Sequence, residues 1–496
     1  MRRPCLLGQL IALVALVAAL IGTGFPTGRA GATTPASQAP APGPSAELSR
    51  ALTGGNGVFI GSPIPVNLKR AGYVQREYAA SGTATSYAAT SPLTGDGNWS
   101  FAPGDSAPYR TRVLVRRPAD PKHFSGTVVV EWLNVSGGVD ADPEWATTHE
   151  ELIRRGDAWV GVSAQQIGVM GGPVLVRVDV PGAEVAGKGL KAVDPARYGS
   201  LDHPGDGFAF DIYTQVARAV RSGSRMGGLH PKRLIAAGES QSAFALVTYY
   251  NGVQPLTHAF DGFFVHSRGA VALPLVAPGA YADIAGSISG TPAIFRSDQR
   301  APVLDVQSES DVTSVLGSYR ARQPDSDRFR LWEIAGTAHA DAHLLGPFST
   351  SINCGVPINN GAMHVVAKAG LHALRTWMET GKAPPTAPRL EVTGGASPQI
   401  QRDADGIAVG GIRTPPVDVP VATLSGAPGP QPSTICLLLG SNTPLSKERL
   451  GELYRSRAAY REKYRADVDR AVKAGFVLPE DRAALLSFEQ PSRIGA

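Results

Sequence analysis

Short apolar runs recur along this chain of 496 residues, and stretches with helical spacing separate them. The clearest run is 127–133 (Thr-Val-Val-Val-Glu-Trp-Leu), which is almost continuously apolar, as a strand covered on both faces should be. Helical spacing follows over 143–155, between Pro143 and Gly156. Strands that alternate with helices require crossover connections, so the pattern predicts an α/β fold with a mainly parallel sheet and helices on both faces. The other predicted strands are 112–116, 158–163, 233–237, 260–265, 302–306 and 329–334, and the other predicted helices are 208–221, 244–250, 312–320 and 362–378.

The most specific motif follows the predicted strand 233–237. There the sequence Gly238-Glu-Ser240-Gln-Ser242 lies between a strand and a helix, which is the context of a nucleophile elbow. Small residues suit positions 238 and 242 because this turn is tight, and the start of a helix favours developing negative charge. The motif predicts that Ser240 is a nucleophile. The alternative is an ordinary serine in a strand–helix turn.

A serine hydroxyl is a weak nucleophile unless a base accepts its proton. The last two predicted strands of the sheet lead into Asp311 and His339, and such strand ends carry the functional sites of parallel sheets. The order serine, acid, histidine predicts Ser240 as nucleophile, His339 as general acid and base, and Asp311 as the carboxylate that orients the histidine. Glu309 is the alternative acid. Asp305 is less suited because it lies within the strand.

Acyl transfer by a serine also needs hydrogen-bond donors for the oxyanion. Gln241 follows the nucleophile, so its backbone N–H is the first expected donor. The second is expected in the loop after the strand 127–133, at Asn134 or Val135. Together these donors would form the oxyanion hole.

Two further histidines call for an interpretation. His339, Asp341 and His343 alternate in a way that superficially suggests metal ligands. Because no third histidine at helical spacing supports a zinc site, we expect a solvated loop and no catalytic metal. His266, at the end of a predicted strand, is expected to be a structural histidine, with a place in the pocket as the alternative.

With these motifs the chain resembles the α/β-hydrolase superfamily, and more narrowly the secreted bacterial proteins known only as alpha/beta hydrolase domain proteins. The resemblance implies hydrolysis of an ester or a related acyl compound without a cofactor. The superfamily also contains non-catalytic members, so the fold alone does not decide the activity. The resemblance spans roughly residues 50–460 and is carried by the segments 129–135, 156–165, 238–242, 309–311, 336–339 and 410–416.

The leading functional hypothesis is a secreted serine hydrolase that cleaves a carboxylic ester of a small molecule. An amidase or peptidase with the same three residues is the first alternative, because leaving-group preference depends on the shape of the pocket. A non-catalytic binding protein that has kept the fold is the second alternative. The complete set of serine, acid and histidine argues against this last possibility.

The first 32 residues are typical of a secretory signal peptide. Two arginines precede the apolar stretch 6–21, and the small residues 30–32 follow it. An uncleaved membrane anchor is the alternative, since the apolar stretch approaches the length of a bilayer span. Cleavage would leave 44 basic and 42 acidic residues, a net charge of +2 instead of +5. We therefore expect no nucleic-acid partner and no stable membrane association.

Composition divides the remaining chain into three parts. A linker rich in proline, alanine and serine covers 33–46, and a catalytic domain covers 47–382. The insertions 165–207 and 269–300 are expected to build the substrate pocket. A C-terminal extension, 383–496, is expected to pack on this core.

The cysteines agree with export. Cys5 falls within the predicted signal peptide, which leaves Cys354 and Cys436. Two cysteines in an oxidising compartment can pair, so we expect a disulfide between distant parts of the C-terminal half. Two unrelated buried thiols are the alternative.

Overall fold

A computed structural model describes residues 39–61, 66–395, 397–431 and 433–495. The predicted signal peptide and the first part of the predicted linker, 33–38, lie outside these ranges. Within the described residues the large sheet contains nine strands. They are β1 (Glu47–Ala51), β2 (Tyr73–Ala89), β3 (Phe101–Pro118), β4 (Thr127–Trp132), β5 (Ala158–Val162), β6 (Arg233–Glu239), β7 (Gly262–His266), β8 (Val303–Ser308) and β9 (Phe329–Ile334).

The sheet has the strand order β1-β2-β3-β5-β4-β6-β7-β8-β9. The six strands β4 to β9 are parallel to one another, whereas β1, β2 and β3 form an antiparallel ribbon that joins the sheet at β5. The predicted α/β fold with a mainly parallel sheet is confirmed. From β4 onward each strand lies within two residues of its predicted bounds.

The long hairpin of β2 and β3 extends well beyond the predicted strand 112–116. Pro103 and Pro108 lie within β3 and argue against a strand there. This half of β3 is paired with β2 on one side only, while β5 pairs with residues 113–116 on the other. An edge tolerates proline because its N–H is not needed for a second neighbour.

The described residues contain five helices of eight residues or more: α1 (Pro143–Arg155), α2 (Ala209–Arg221), α3 (Gln241–Thr248), α4 (Met363–Thr380) and α5 (Arg457–Ala474). A π-helical turn (Tyr249–Val253) extends α3. The predicted helix 312–320 is wrong, because Gly317 with φ +54° separates two short turns. The shorter α-helical segments are Gln166–Met170, Gly189–Val193, Pro195–Tyr198, Gln254–Thr257, Ile284–Ser287, Glu309–Thr313, Ala342–Leu345, Pro415–Asp418, Lys447–Leu453 and Arg482–Leu486, and the 3-10 turns are Pro121–His123, Ala183–Val185, Asp206–Phe208, Ser318–Ala321, Gly346–Thr350, Pro479–Asp481 and Pro491–Arg493.

Helices cover the sheet on both faces. Successive side chains of a strand point to opposite faces, so Val128 and Val130 pack with α2 and α3, whereas Val129 packs with α1 and α4. Every residue of β4 is buried. This double burial explains why the strand is almost continuously apolar in sequence.

The C-terminal part of the chain packs against the core. Two short antiparallel strands, β10 (Ala422–Ser425) and β11 (Ser441–Pro444), follow a segment of isolated bridges. Buried apolar residues between 419 and 494 share a cluster with Val365 of α4. A disulfide joins Cys354 to Cys436, with their Cα atoms 5.5 Å apart, so the predicted bridge is confirmed. In the described part of the chain, no helix has both the length and the apolar character needed to span a membrane.

Gly156 provides a test of the local geometry. It ends α1 with φ +72°, and a Cβ there would overlap the backbone oxygen of His123. We expect Gly156→Ala to lower the free energy of unfolding by about 1–3 kcal/mol, measured by urea denaturation. In Gly451→Ala the new Cβ meets nothing within 4 Å, so this helical control should be at least as stable as the unmodified protein. Equal losses in both variants would contradict the expectation.

Candidate active site

Ser240 forms the whole connection between β6 and α3. β6 ends at Glu239 and α3 begins at Gln241. The φ of Ser240 is +57°, a left-handed conformation that costs a non-glycine residue about 1–3 kcal/mol. Its backbone N–H donates to the carbonyl of His266 on β7 at 3.0 Å. The neighbouring strand therefore holds the serine in its strained conformation.

The residues two positions before and two positions after Ser240 must be small. A Cβ on Gly238 would lie 3.0 Å from the backbone of Ser242, closer than most real contacts. Ser242 itself is accommodated because its Oγ donates to the carbonyl of Glu239 at 2.8 Å. This hydrogen bond satisfies the buried hydroxyl and closes the turn, so a serine serves where the common motif has a second glycine.

The structure brings the three predicted side chains into one hydrogen-bonded line. Ser240 Oγ lies 2.8 Å from His339 Nε2. His339 Nδ1 lies 2.7 Å from Asp311 Oδ1, and Asp311 Oδ2 accepts the backbone N–H of Ser308 at 2.6 Å. In the neutral imidazole, with Nδ1 protonated toward the carboxylate, Nε2 is the acceptor for the serine proton.

The alternative acids face other partners. Glu309 accepts the backbone N–H groups of Gly336 at 2.8 Å and Gly426 at 2.9 Å, and it pairs with Arg402 at 2.6 Å. Asp305 pairs with Arg268 at 2.7 Å. Neither carboxylate makes a hydrogen bond to a histidine. Of the three acids, Asp311 alone contacts His339.

Opposing effects set the pKa values of His339 and Asp311, and therefore their charges. Burial disfavours the charged form of His339, but the carboxylates of Glu239 and Asp311 outweigh it and raise the pKa of His339 to about 9. Burial likewise opposes ionisation of Asp311, yet His339 and the side chains of Ser308 and Ser267 hold the pKa of Asp311 below its usual value. The site therefore stabilises, beside ionised Asp311, the imidazolium that forms when neutral His339 accepts a proton.

Sequence reasoning missed Glu239. Its Oε1 lies 3.3 Å from Nε2 of His339, the same atom that lies 2.8 Å from Ser240 Oγ. Burial raises the pKa of Glu239 to about 7, and His339 and His266 act in the opposite direction. The position of Glu239 directly before Ser240 could have indicated its place in the site. A turn that exposes one side chain to a site also brings the neighbouring residue near that site.

The two regions expected to supply oxyanion donors differ in how their backbone N–H groups are already bonded. Gln241 is the first residue of α3, so its backbone N–H has no carbonyl partner within the helix. The N–H of Asn134 donates to Ala141 at 3.0 Å, which contradicts the expectation that Asn134 offers a free donor. The N–H of Val135 lies 3.4 Å from the side-chain oxygen of Gln241, a long contact. Val135 therefore stays the expected second donor.

The other polar residues of the His339 loop contact different partners. Asp341 accepts the N–H of Leu344 at 2.9 Å, and His343 stacks on His364 with ring centres 3.7 Å apart. In the described residues no three ligating side chains cluster as a metal site would require. His266 is buried, with Nδ1 3.4 Å from Oε1 of Glu144.

A cavity of about 500 Å³ opens at Ser240 and His339, within the range of roughly 300–1,000 Å³ typical of small-molecule sites. The predicted insertion 165–207 contributes residues between 174 and 186. Other lining residues lie at 344–348 and 435–438.

The insertion 269–300 does not line this cavity with any described residue, contrary to expectation. Val271 and Leu273 are instead buried in the cluster that contains α3, and the Leu273 N–H donates to Phe244 of that helix at 3.0 Å. These apolar residues pack the insertion against the core. The cavity wall comes from the C-terminal part of the chain in its place.

The chain was compared with solved structures, with curated proteins and with models of protein families. The chain is 14% identical to an α/β serine hydrolase without lid from Xanthomonas campestris, covering 50% of this chain and 83% of that one with a TM-score of 0.27. It is 10% identical to a fungal esterase from Rhizomucor miehei (61% and 86% covered, TM-score 0.30) and 8% identical to a glucuronoyl esterase from Solibacter usitatus (60% and 84%, TM-score 0.25). No curated protein matches. A family model described as "Alpha/beta hydrolase domain" matches residues 37–487.

The contact between Glu239 and His339 predicts a shifted titration. Because the Glu239 carboxylate favours the imidazolium, Glu239→Gln should lower the pKa of His339 from about 9, measured by NMR titration of ¹³C-labelled histidine. In Glu144→Gln, a matched control, the carboxylate that acts chiefly on His266 is removed. This control should lower the pKa of His266 and leave that of His339 almost unchanged. An unchanged His339 pKa in Glu239→Gln would refute the conclusion that the Glu239 carboxylate raises the pKa of His339.

Proposed function

The chain belongs to the alpha/beta hydrolase family, and on this premise we propose that it is a serine hydrolase that cleaves carboxylic esters. One observation carries the proposal: Ser240 Oγ lies 2.8 Å from Nε2 of His339 where both residues line the cavity, with Asp311 behind the histidine. This is the arrangement in which a base can take the serine proton as the oxygen attacks.

The proposed reaction has two halves. Ser240 Oγ attacks the ester carbonyl while its proton passes to Nε2 of His339, and the alcohol leaves with that proton as the acyl-enzyme forms. Water then attacks the acyl carbon and gives a proton to Nε2. This proton returns to Ser240 Oγ as the acid is released. Asp311 stabilises the imidazolium in both halves and keeps Nε2 directed at the serine.

The negative charge of each tetrahedral intermediate needs donors. Gln241 supplies a backbone N–H at the start of α3, where the helix dipole also favours an anion. Val135 supplies the second N–H when the carbonyl oxygen of the substrate displaces the side-chain oxygen of Gln241. The proposal needs no metal or cofactor in this sequence of steps.

We also propose that the protein is exported. The disulfide between Cys354 and Cys436 supports this, because such bridges persist in oxidising compartments. The proposed export signal is the N-terminal segment 1–32, through its basic start and apolar stretch.

Covalent labelling tests the nucleophile. A fluorophosphonate probe should label the unmodified protein, and Ser240→Ala should abolish labelling because the attacking oxygen is gone. Ser242→Ala is the matched control two residues away, whose hydroxyl is bonded to the Glu239 carbonyl; it should still be labelled. Intact-mass spectrometry measures the adduct. Folded, unmodified protein that stays unlabelled would overturn the proposal.

A pair of isosteric substitutions tests the acid. Asp311→Asn removes the charge that orients His339 and should lower the labelling rate and ester hydrolysis by roughly 10³–10⁴-fold. Glu309→Gln should leave labelling intact, since its oxygens contact Gly336 and Gly426 rather than a histidine. The comparison uses initial rates with p-nitrophenyl acetate. The reverse ranking would assign the role to Glu309.

A further inference from the structure

Most of the cavity wall is apolar and comes from outside the sheet. One side is a segment without regular secondary structure, 174–180, flanked by Pro173 and Pro181. Every residue of this segment except Leu175 lines the cavity. The valines at 174, 176, 178 and 180 are half-buried, whereas Arg177 and Asp179 are exposed to solvent.

The facing apolar residues form what we call the C-terminal wall: Leu344, Leu345, Phe348, Ile435 and Leu438. They belong to two segments that are about 90 residues apart in sequence. The first follows the loop of His339, and the second lies between the strands β10 and β11. The wall therefore adjoins the catalytic histidine on one side and the C-terminal extension on the other.

The disulfide lies directly behind this wall. Cys436 follows Ile435, and Cys354 lies six residues after Phe348. Both cysteines are fully buried in one cluster with Leu439, against which Leu345 and Ile435 pack. The bridge thus connects the two segments that supply the wall.

Hydrogen bonds and packing also attach the segment around Leu438. It consists of turns rather than a helix or strand. The N–H of Ala340, next to His339, donates to the Leu438 carbonyl at 3.1 Å, and the N–H of Asn359 donates to the Leu439 carbonyl at 3.1 Å. The bridge adds a covalent restraint on the position of the wall to these contacts.

We propose that the C-terminal wall, held by the Cys354–Cys436 bridge, selects esters that carry a large uncharged hydrocarbon group. Ser240 and His339 line the cavity where the ester carbonyl would bind, and the charged Arg177 and Asp179 of the opposite segment are exposed to solvent. The C-terminal wall itself has only apolar side chains. Burial of hydrocarbon against this wall is favourable, and the wall offers no partner to a charged group. This inference rests on the proposed function and names its substrate class.

Chain-length preference tests the inference. Each methylene buried against the wall should raise kcat/KM about fourfold. Octanoate has six methylenes more than acetate, and burial of about three of them against the wall should make the unmodified protein prefer p-nitrophenyl octanoate over p-nitrophenyl acetate by on the order of 100-fold. Leu438→Ala should lower this octanoate-to-acetate ratio about tenfold, because the wall recedes from the chain.

Leu437→Ala is the matched control. Leu437 belongs to the same turn and is half-buried like Leu438, but it does not line the cavity. Its removal should leave the octanoate-to-acetate ratio at the value of the unmodified protein. Equal ratios in Leu437→Ala and Leu438→Ala, or a preference for acetate in the unmodified protein, would overturn the inference.

The bridge is tested with the double variant Cys354→Ser/Cys436→Ser. Its octanoate-to-acetate ratio should fall at least as far as in Leu438→Ala, with continued fluorophosphonate labelling as proof of folding. A folded double variant with an unchanged ratio would overturn the role of the bridge. If the double variant does not fold, the comparison of Leu438→Ala with Leu437→Ala decides the role of the wall.

Labelling also separates the two proposals. Unmodified protein that is labelled at Ser240 but shows no preference for octanoate would overturn the substrate class alone. Folded, unmodified protein that is neither labelled nor active would overturn the proposed function and the inference with it.

Discussion

Parallel hydrogen bonding among β6, β7, β8 and β9 is the constraint on which the site depends. Parallel strands bring their carboxyl ends to one edge of the sheet, so residues 99 and 28 positions apart in sequence meet at His339. The same pairing supports the strained φ of Ser240, because the carbonyl that accepts its N–H belongs to His266 on β7. Without β7 the turn at Ser240 would lose the hydrogen bond that fixes its position and restrains the φ of Ser240.

Two acids that are close in sequence illustrate how burial assigns separate roles. Asp311 and Glu309 lie on one short helical turn and are both buried, so each must find hydrogen-bond donors. Asp311 finds His339, whereas Glu309 accepts backbone N–H groups from the loop after β9 and from Gly426. The first contact orients a side chain, and the second attaches the C-terminal extension to the histidine loop.

The C-terminal extension is consequently part of the surroundings of the site. It contacts the histidine loop through Gly426 and through the carbonyl of Leu438, and it contributes Ile435 and Leu438 to the cavity. The disulfide adds a covalent connection where regular secondary structure is lacking. A small cluster of cysteines and aliphatic residues thereby links the stability of the extension to the shape of the cavity.

The amino-acid sequence by itself determined the α/β fold, the strand–turn–helix at Ser240 and the pairing of Cys354 with Cys436, because these follow from local periodicity, turn chemistry and cysteine count. It also named the residues that meet at His339, since order along the chain predicts which loops follow strand ends. Only the tertiary structure decided that the Asn134 N–H is already paired, that Glu239 lies beside His339, and that the C-terminal extension rather than 269–300 lines the cavity. These contacts form within or between loops. A local sequence pattern does not determine which side of a loop contacts another segment and which side packs within the loop itself.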